Sequence, residues 1–152
     1  MAEFINQIPG YEYGRVQRIS ASAISAPLIV AQMAIDLWDK WNTKVLCISL
    51  DEHKDLIEDL ILSNSAMAKV FILNQKNPDI AVVLKKVAGY VHRKSVHAVI
   101  ISGAERLRLK TPVANEVGTV VKWLERVARK ERIPLILVEN NEIPADWKCP
   151  LS

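Results

Sequence analysis

Three histidines, two cysteines and a cluster of serines are the residues of this chain that chemistry would most readily use. His53, His92 and His97 lack the paired spacing that presents ligands to zinc, so no metal site is expected. Cys47 lies in the apolar run Val45-Leu46-Cys47-Ile48 and reads as a buried free thiol, while Cys149 lies near the end of the chain. Together they fit neither a disulfide framework nor a paired-cysteine metal site. The serines between Ser20 and Ser25 have no histidine near them in sequence, and a nucleophilic serine needs a base within reach. The cations say more. Arg106-Leu107-Arg108-Leu109-Lys110 alternates charge with leucine, as a short strand or a docking segment does. Lys122, Arg126, Arg129 and Lys130 fall mainly on one side of a helical segment, by their spacing of fours and threes. With His92, Arg93 and Lys94 they offer a surface for phosphates. The competing reading is a solvated face, because Glu105, Glu116, Glu125 and Glu131 are interleaved with them.

These residues are carried by an alternation of strand-like and helix-like segments. Strands are read at 15–21, 44–50, 68–73, 97–102 and 133–139. Helices are read at 27–41, 53–63, 78–93 and 112–132. Pro27 suits a first helical turn, with Ser25 or Ala26 as its cap, and Asn77 is read as the cap of the third helix. The apolar stripes are Val30, Met33, Ala34, Leu37 and Trp41; then Leu56, Ile57, Leu60 and Ile61; then Ile80, Val83, Leu84, Val87 and Val91. On the last helix they are Val113, Val117, Val120, Leu124 and Val127. Three strands, KVLCISL, HAVIIS and IPLILVE, are continuous apolar runs without alternation, the pattern of strands buried on both faces of a parallel sheet. Strand and helix in turn imply parallel connections. The fold class is therefore α/β: three layers, with a mainly parallel central sheet of about five strands flanked by helices.

At 152 residues the chain suits one domain, 1–152, with residues 1–14 as a lead-in and 140–152 as an irregular tail. Such a length buries a sizeable core without disulfides or metal. A net charge of +3 is mildly basic and does not demand a nucleic-acid partner. The first residues show no basic region followed by an apolar stretch, and no apolar run approaches a bilayer span, so a cytoplasmic protein is expected. Trp38, Trp41 and Trp123 read as packing or subunit contacts, and Trp147 as an anchor for a neighbouring subunit, with base stacking as the weaker option.

Several segments, in order, resemble the ATPase domain of RecA-type proteins, most closely that of DnaB-type replicative helicases. Ile8-Pro9-Gly10 through Gly14 resembles the lead-in to the first core strand. The segment KVLCISLD resembles the second strand, which ends in Ser-Leu-Glu in that family. Asn115-Glu116-Val117, the helix after it and IPLILVE resemble the segment that leads to a strand ending in a polar sensor residue. In the family, a loop ending in Gly-Lys-Ser/Thr follows the first strand; its backbone N–H groups cradle phosphates, its lysine reaches the terminal phosphates and its hydroxyl holds magnesium. The equivalent stretch here is Ser20-Ala21-Ser22-Ala23-Ile24-Ser25-Ala26-Pro27-Leu28. Ala26 replaces the glycine, Pro27 the lysine and Leu28 the hydroxyl residue. Pro27 has neither charge nor N–H, and Leu28 has no oxygen for a cation. Ser102 or Gly103 stands where the family's metal-positioning aspartate belongs. Asp51 matches the catalytic carboxylate position; by its own sequence context it reads first as a helix N-cap before His53-Lys54-Asp55.

The resemblance implies a non-enzymatic RecA-like protein with no cofactor. It would bind or scaffold in DNA replication, recombination or repair, with a helicase- or recombinase-type partner, single-stranded DNA, or both, and as a homo- or hetero-oligomer. Arg106, Arg108 and Lys110 then occupy the loop where such proteins meet DNA, helped by Lys122, Arg126 and Arg129. Two alternatives stand beside this. One is a structural subunit of a RecA-like ring or heteromer outside DNA metabolism. The other is an enzyme that holds nucleotide in an unorthodox way, through the dipole of the helix after Ser25.

Overall fold

Three strands carry an apolar residue at almost every position: β2 (Val45–Ser49), β4 (Ala98–Ser102) and β5 (Leu135–Glu139). Each is buried along its whole length, which requires cover on both faces. In the computed structural model, which describes residues 14–111 and 113–140, they form the centre of a five-stranded sheet. The half-buried strands β1 (Val16–Ser20) and β3 (Val70–Asn74) are its edges, in the order β1-β5-β4-β2-β3. Every neighbouring pair is parallel.

Four helices join the strands: α1 (Ala26–Trp41), α2 (Lys54–Asn64), α3 (Ile80–Lys94) and α4 (Glu116–Glu131). The chain steps one way along the sheet from β1 to β2 to β3, then returns through β4 to β5. Right-handed crossovers put helices of opposite travel on opposite faces. The core divides accordingly. Val45, Cys47, Ala98, Ile100, Ile136 and Val138 pack beneath α1 and α2. The alternate residues Leu46, Ile48, Val99, Ile101, Leu135 and Leu137 pack beneath α3 and α4. The molecule is a three-layer α/β domain, compatible with the RecA-like and Rossmann-type folds.

Three local expectations are corrected. Asn77 does not cap α3. Pro78 O accepts from Arg108 N and Ile80 N donates to Arg108 O, each at 2.9 Å, which holds Asp79 extended, and Asp79 Oδ1 accepts from Ala81 N at 2.9 Å as the true cap. The last helix begins at Glu116, with Asn115 Oδ1 accepting from Gly118 N, so Val113 precedes it. Val113 and Val117 are exposed, and the buried stripe of α4 is Val120, Leu124 and Ala128. Finally, Ser25 stands at the N-cap position of α1, as expected, but its side chain accepts no hydrogen bond from the helix; instead Ser22 Oγ accepts from Ser25 N at 3.0 Å. Trp38 and Trp41 are half-buried and Trp123 is exposed, while Trp147 lies outside the described residues.

Candidate functional site at the sheet's carboxyl edge

In an open α/β sheet, ligands bind beyond the carboxyl ends of the strands, where neighbouring strands send their connections to opposite faces. Here that place is between β2, which leads to α2, and β4, which leads to α4. Ser49 and Ser102 face each other there in register, as the last residues of their strands.

Both serine hydroxyls donate to one carboxylate. Ser49 Oγ lies 2.8 Å from Asp51 Oδ1, and Ser102 Oγ lies 2.9 Å from Asp51 Oδ2. Ser49 Oγ also accepts from His53 N at 2.9 Å. Asp51 therefore does not cap α2, whose preceding residue is His53; its oxygens are turned back to join β2 to β4. Gly103 makes this approach possible. Its φ is +74°, and a Cβ there would stand 2.8 Å from Asp51 Cβ and 3.0 Å from Asp51 N. The His53 ring leans on the same carboxylate, with Nδ1 3.2 Å from Asp51 Oδ2. That nitrogen is buried, and the contact is too oblique for a hydrogen bond, so it is an attraction only when the ring is protonated.

A cleft of about 220 Å³ opens beside this cluster. Asp51 and His53 form one wall, Ala23 of the β1–α1 turn and Ala26 at the start of α1 a second, and Arg106 and Arg108 a third. Arg106 Nη1 donates to Leu50 O at 3.1 Å, and Arg108 Nη1 donates to Glu105 O at 2.7 Å and Leu107 O at 2.8 Å. Each guanidinium is thus anchored through one nitrogen of a planar five-donor fork. Glu105 tempers the positive charge: it lies 3.8 Å from Arg106 Nε and accepts from Asn140 N at 2.9 Å. On the far side Arg18 pairs with Glu139 at 3.0 Å, fixing the end of β5 against β1.

The turn between β1 and α1 closes on itself. Ser22 Oγ accepts from Ser25 N and Ser25 Oγ accepts from Ser22 N, each at 3.0 Å, and the two hydroxyls meet at 2.8 Å. This is the reciprocal capping-box pattern with serine in place of the usual glutamate. Ala26 N donates to Ser22 O at 2.9 Å, so two successive amides ahead of Pro27 are taken within the turn. Ala26 and Pro27 are buried, and Leu28 is exposed.

Of the six cations read from the sequence, the structure brings Arg106 and Arg108 to the cleft, with Lys110 exposed beyond them. Lys122, Arg126 and Arg129 are exposed along α4, which runs away from this edge. From Lys122 to Arg129 is about 10 Å of helix, and Arg129 lies beside Gly14, where β1 begins. The six do not converge on one site.

Sequence reasoning missed Arg18, Ser49, His53 in this role, and Glu105. The signal for Ser49 and His53 was the spacing Ser49-x-Asp51-x-His53, which becomes meaningful only once β4 places Ser102 opposite. Among the described residues no three of His, Cys, Asp and Glu converge as metal ligands. Compared with known proteins, the chain matches no protein-family model, and none of the curated proteins matches it.

Proposed function

We propose that this is a RecA-like domain, closest in segment order to the DnaB-type helicase domain, that has left nucleotide chemistry and acts by binding. Its place would be as a scaffold in DNA replication, recombination or repair, holding DNA, a helicase- or recombinase-type partner, or both. The observation that carries the reading is the self-capped turn Ser22–Ser25. A phosphate cradle needs backbone N–H groups aimed outward, whereas Ser25 N and Ala26 N are satisfied within the turn and Pro27 has no N–H to give. Two further features support it. Asp51, at the catalytic-carboxylate position, accepts from two serine hydroxyls, which favours a role in joining strands. Ser102, in place of a metal-holding aspartate, is one of those donors.

The DNA part of the reading rests on Arg106, Arg108 and Lys110 at the open edge of the crevice. Contacts of this kind go to phosphates, carry no sequence preference and weaken steeply with salt. The test is fluorescence anisotropy with labelled single- and double-stranded oligonucleotides at two salt concentrations. The wild type is compared with the triple variant Arg106→Ala, Arg108→Ala, Lys110→Ala. The reading expects tighter binding of single strands, weaker binding by the variant, and a salt slope lower by about one for each phosphate-contacting cation removed. Equal binding by both proteins removes the loop from the site. Micromolar affinity for Mg-ATP overturns the departure from nucleotide chemistry.

A further inference from the structure

The two helices that flank the β3 edge carry opposite charge. On one face of the sheet, α2 packs on the core through Ile57 and Ile61. Its outward side presents Asp55, Glu58 and Asp59, preceded by Glu52, and the exposed leucines Leu56 and Leu62. The one cation of this helix, Lys54, is half-buried at its start. On the other face, α3 packs through Ile80, Val83 and Val87. The helix contains no acidic residue. Its outward side forms a groove of about 410 Å³ lined by Val82, Lys85, Lys86, Gly89, Arg93 and Lys94, with Tyr90 at its margin. Among the described residues, none of these four cations and none of the acids Glu52, Asp55, Glu58 and Asp59 takes part in an ion pair. The absent side chain of Gly89 deepens the groove, although glycine weakens a helix relative to alanine.

Within one molecule the two faces cannot meet, because the sheet lies between them. Between two copies they can meet in one sense only. A two-fold dimer would set like against like, acid on acid or base on base, and like charges repel. A head-to-tail contact sets acid on base, with exposed leucines against the apolar floor at Val82 and Gly89. We propose that copies of this chain associate head to tail, the acidic outer face of α2 on one copy seating in the basic groove of α3 on the next. This deepens the reading of the chain as a scaffold, on which it rests, by naming the surfaces it assembles through. A heterologous contact of this kind generates a ring if its rotation closes and a filament if it does not. A nucleic acid lying in the α3 groove is the rival occupant. The second copy is favoured because this chain itself carries a matched acidic and apolar face that a nucleic acid would leave without a partner.

The experiment is sedimentation velocity on the full chain over a range of concentrations, at low salt and at high salt. Two exposed-surface variants are compared with the wild type. One neutralises α3 (Lys85→Gln, Lys86→Gln, Arg93→Gln, Lys94→Gln) and the other neutralises α2 (Asp55→Asn, Glu58→Gln, Asp59→Asn). Circular dichroism confirms that each is folded. The wild type is expected to grow beyond a dimer at low salt and to fall apart at high salt, where screening shortens to a few ångströms. Each variant alone stays monomeric. Their equimolar mixture, which retains one intact acidic face and one intact basic face, gives a 1:1 complex and nothing larger. A wild type that remains monomeric at low salt overturns the proposal, as does an assembly that either variant leaves unchanged. Oligonucleotide binding lost in the α3 variant, with the wild type monomeric throughout, overturns it in favour of nucleic acid. The reading on which it rests is judged separately, by calorimetric titration of the wild type with Mg-ATP.

Discussion

Replacing Gly103 with alanine tests whether the crevice is built as described. At φ +74° a residue with a Cβ carries a backbone penalty of about 1–2 kcal/mol. The new Cβ would also lie 2.8 Å from Asp51 Cβ and 3.0 Å from Asp51 N. Neither atom is the loose end of a side chain, and the Asp51 carboxylate is held by Ser49 and Ser102. Forcing such a contact apart costs about 1–3 kcal/mol more, as overpacking does. The sum, about 2–5 kcal/mol, is a large part of the roughly 5–15 kcal/mol that keeps a domain folded. Urea unfolding should show a midpoint lower by roughly 1–2 M with an unchanged slope. Adding Asp51→Gly removes the nearest clashing atom, so the double variant should lose less than the two single losses combined. A loss under about 1 kcal/mol for Gly103→Ala, less than the backbone term alone, would refute this account of the contact.

The other predictions concern single groups. Asp51→Ala strands two serine hydroxyls and should cost about 1.5–3 kcal/mol, read by thermal melting; an unchanged melting temperature would deny the bridge between β2 and β4. Gly89→Ala has room, since its nearest new neighbour is an Arg93 nitrogen at 3.7 Å. It should stabilise α3 by about 1 kcal/mol in the same assay, and a lower midpoint would contradict the open groove. Burial pushes the Cys47 thiol up to about 12. In a Cys149→Ser background the folded protein should therefore resist a thiol reagent that reacts once urea unfolds it, and prompt labelling of the folded form would contradict that burial. Burial, with Lys44 adding repulsion, lowers the pKa of His97. Its contribution is thus complete above the unfolded value of about 6.5 and is lost as pH falls through the folded one. His97→Gln should flatten the decline of stability as pH falls below about 6.5, and an equal slope in both proteins would assign the decline to other groups.

Much of the fold was legible because buried parallel strands leave a plain trace. The continuous apolar runs around Cys47, Ile100 and Leu137 mark the three central strands, and strand–helix alternation gives parallel pairing. Helix starts were less legible. Asn77 is a good cap by type, but the pairing of Pro78 and Ile80 with the chain around Arg108 moved the start to Asp79, a contact between residues about thirty positions apart. Val113 and Val117 kept the right spacing, yet the helix begins too late and turns Val117 outward. The site was legible only in part. Asp51 stood out beside KVLCISL, but its partners depend on the register of β2 against β4, which no local pattern encodes. The cations of α4 were read as one surface with Arg106 and Arg108, whereas the helix carries Arg129 to the opposite end of the sheet.

In the proposed reading, the turn between β1 and α1 is occupied by its own side chains and takes up no nucleotide. The most direct measurement is an NMR titration of the isotope-labelled chain with Mg-ATP, following the backbone amides of Ser22, Ser25 and Ala26. Bound within the Ser22–Ser25 turn, these amides should keep their positions as nucleotide is added. A saturable shift of the three at micromolar ATP would mean that the turn opens to hold phosphate, and the account would be wrong.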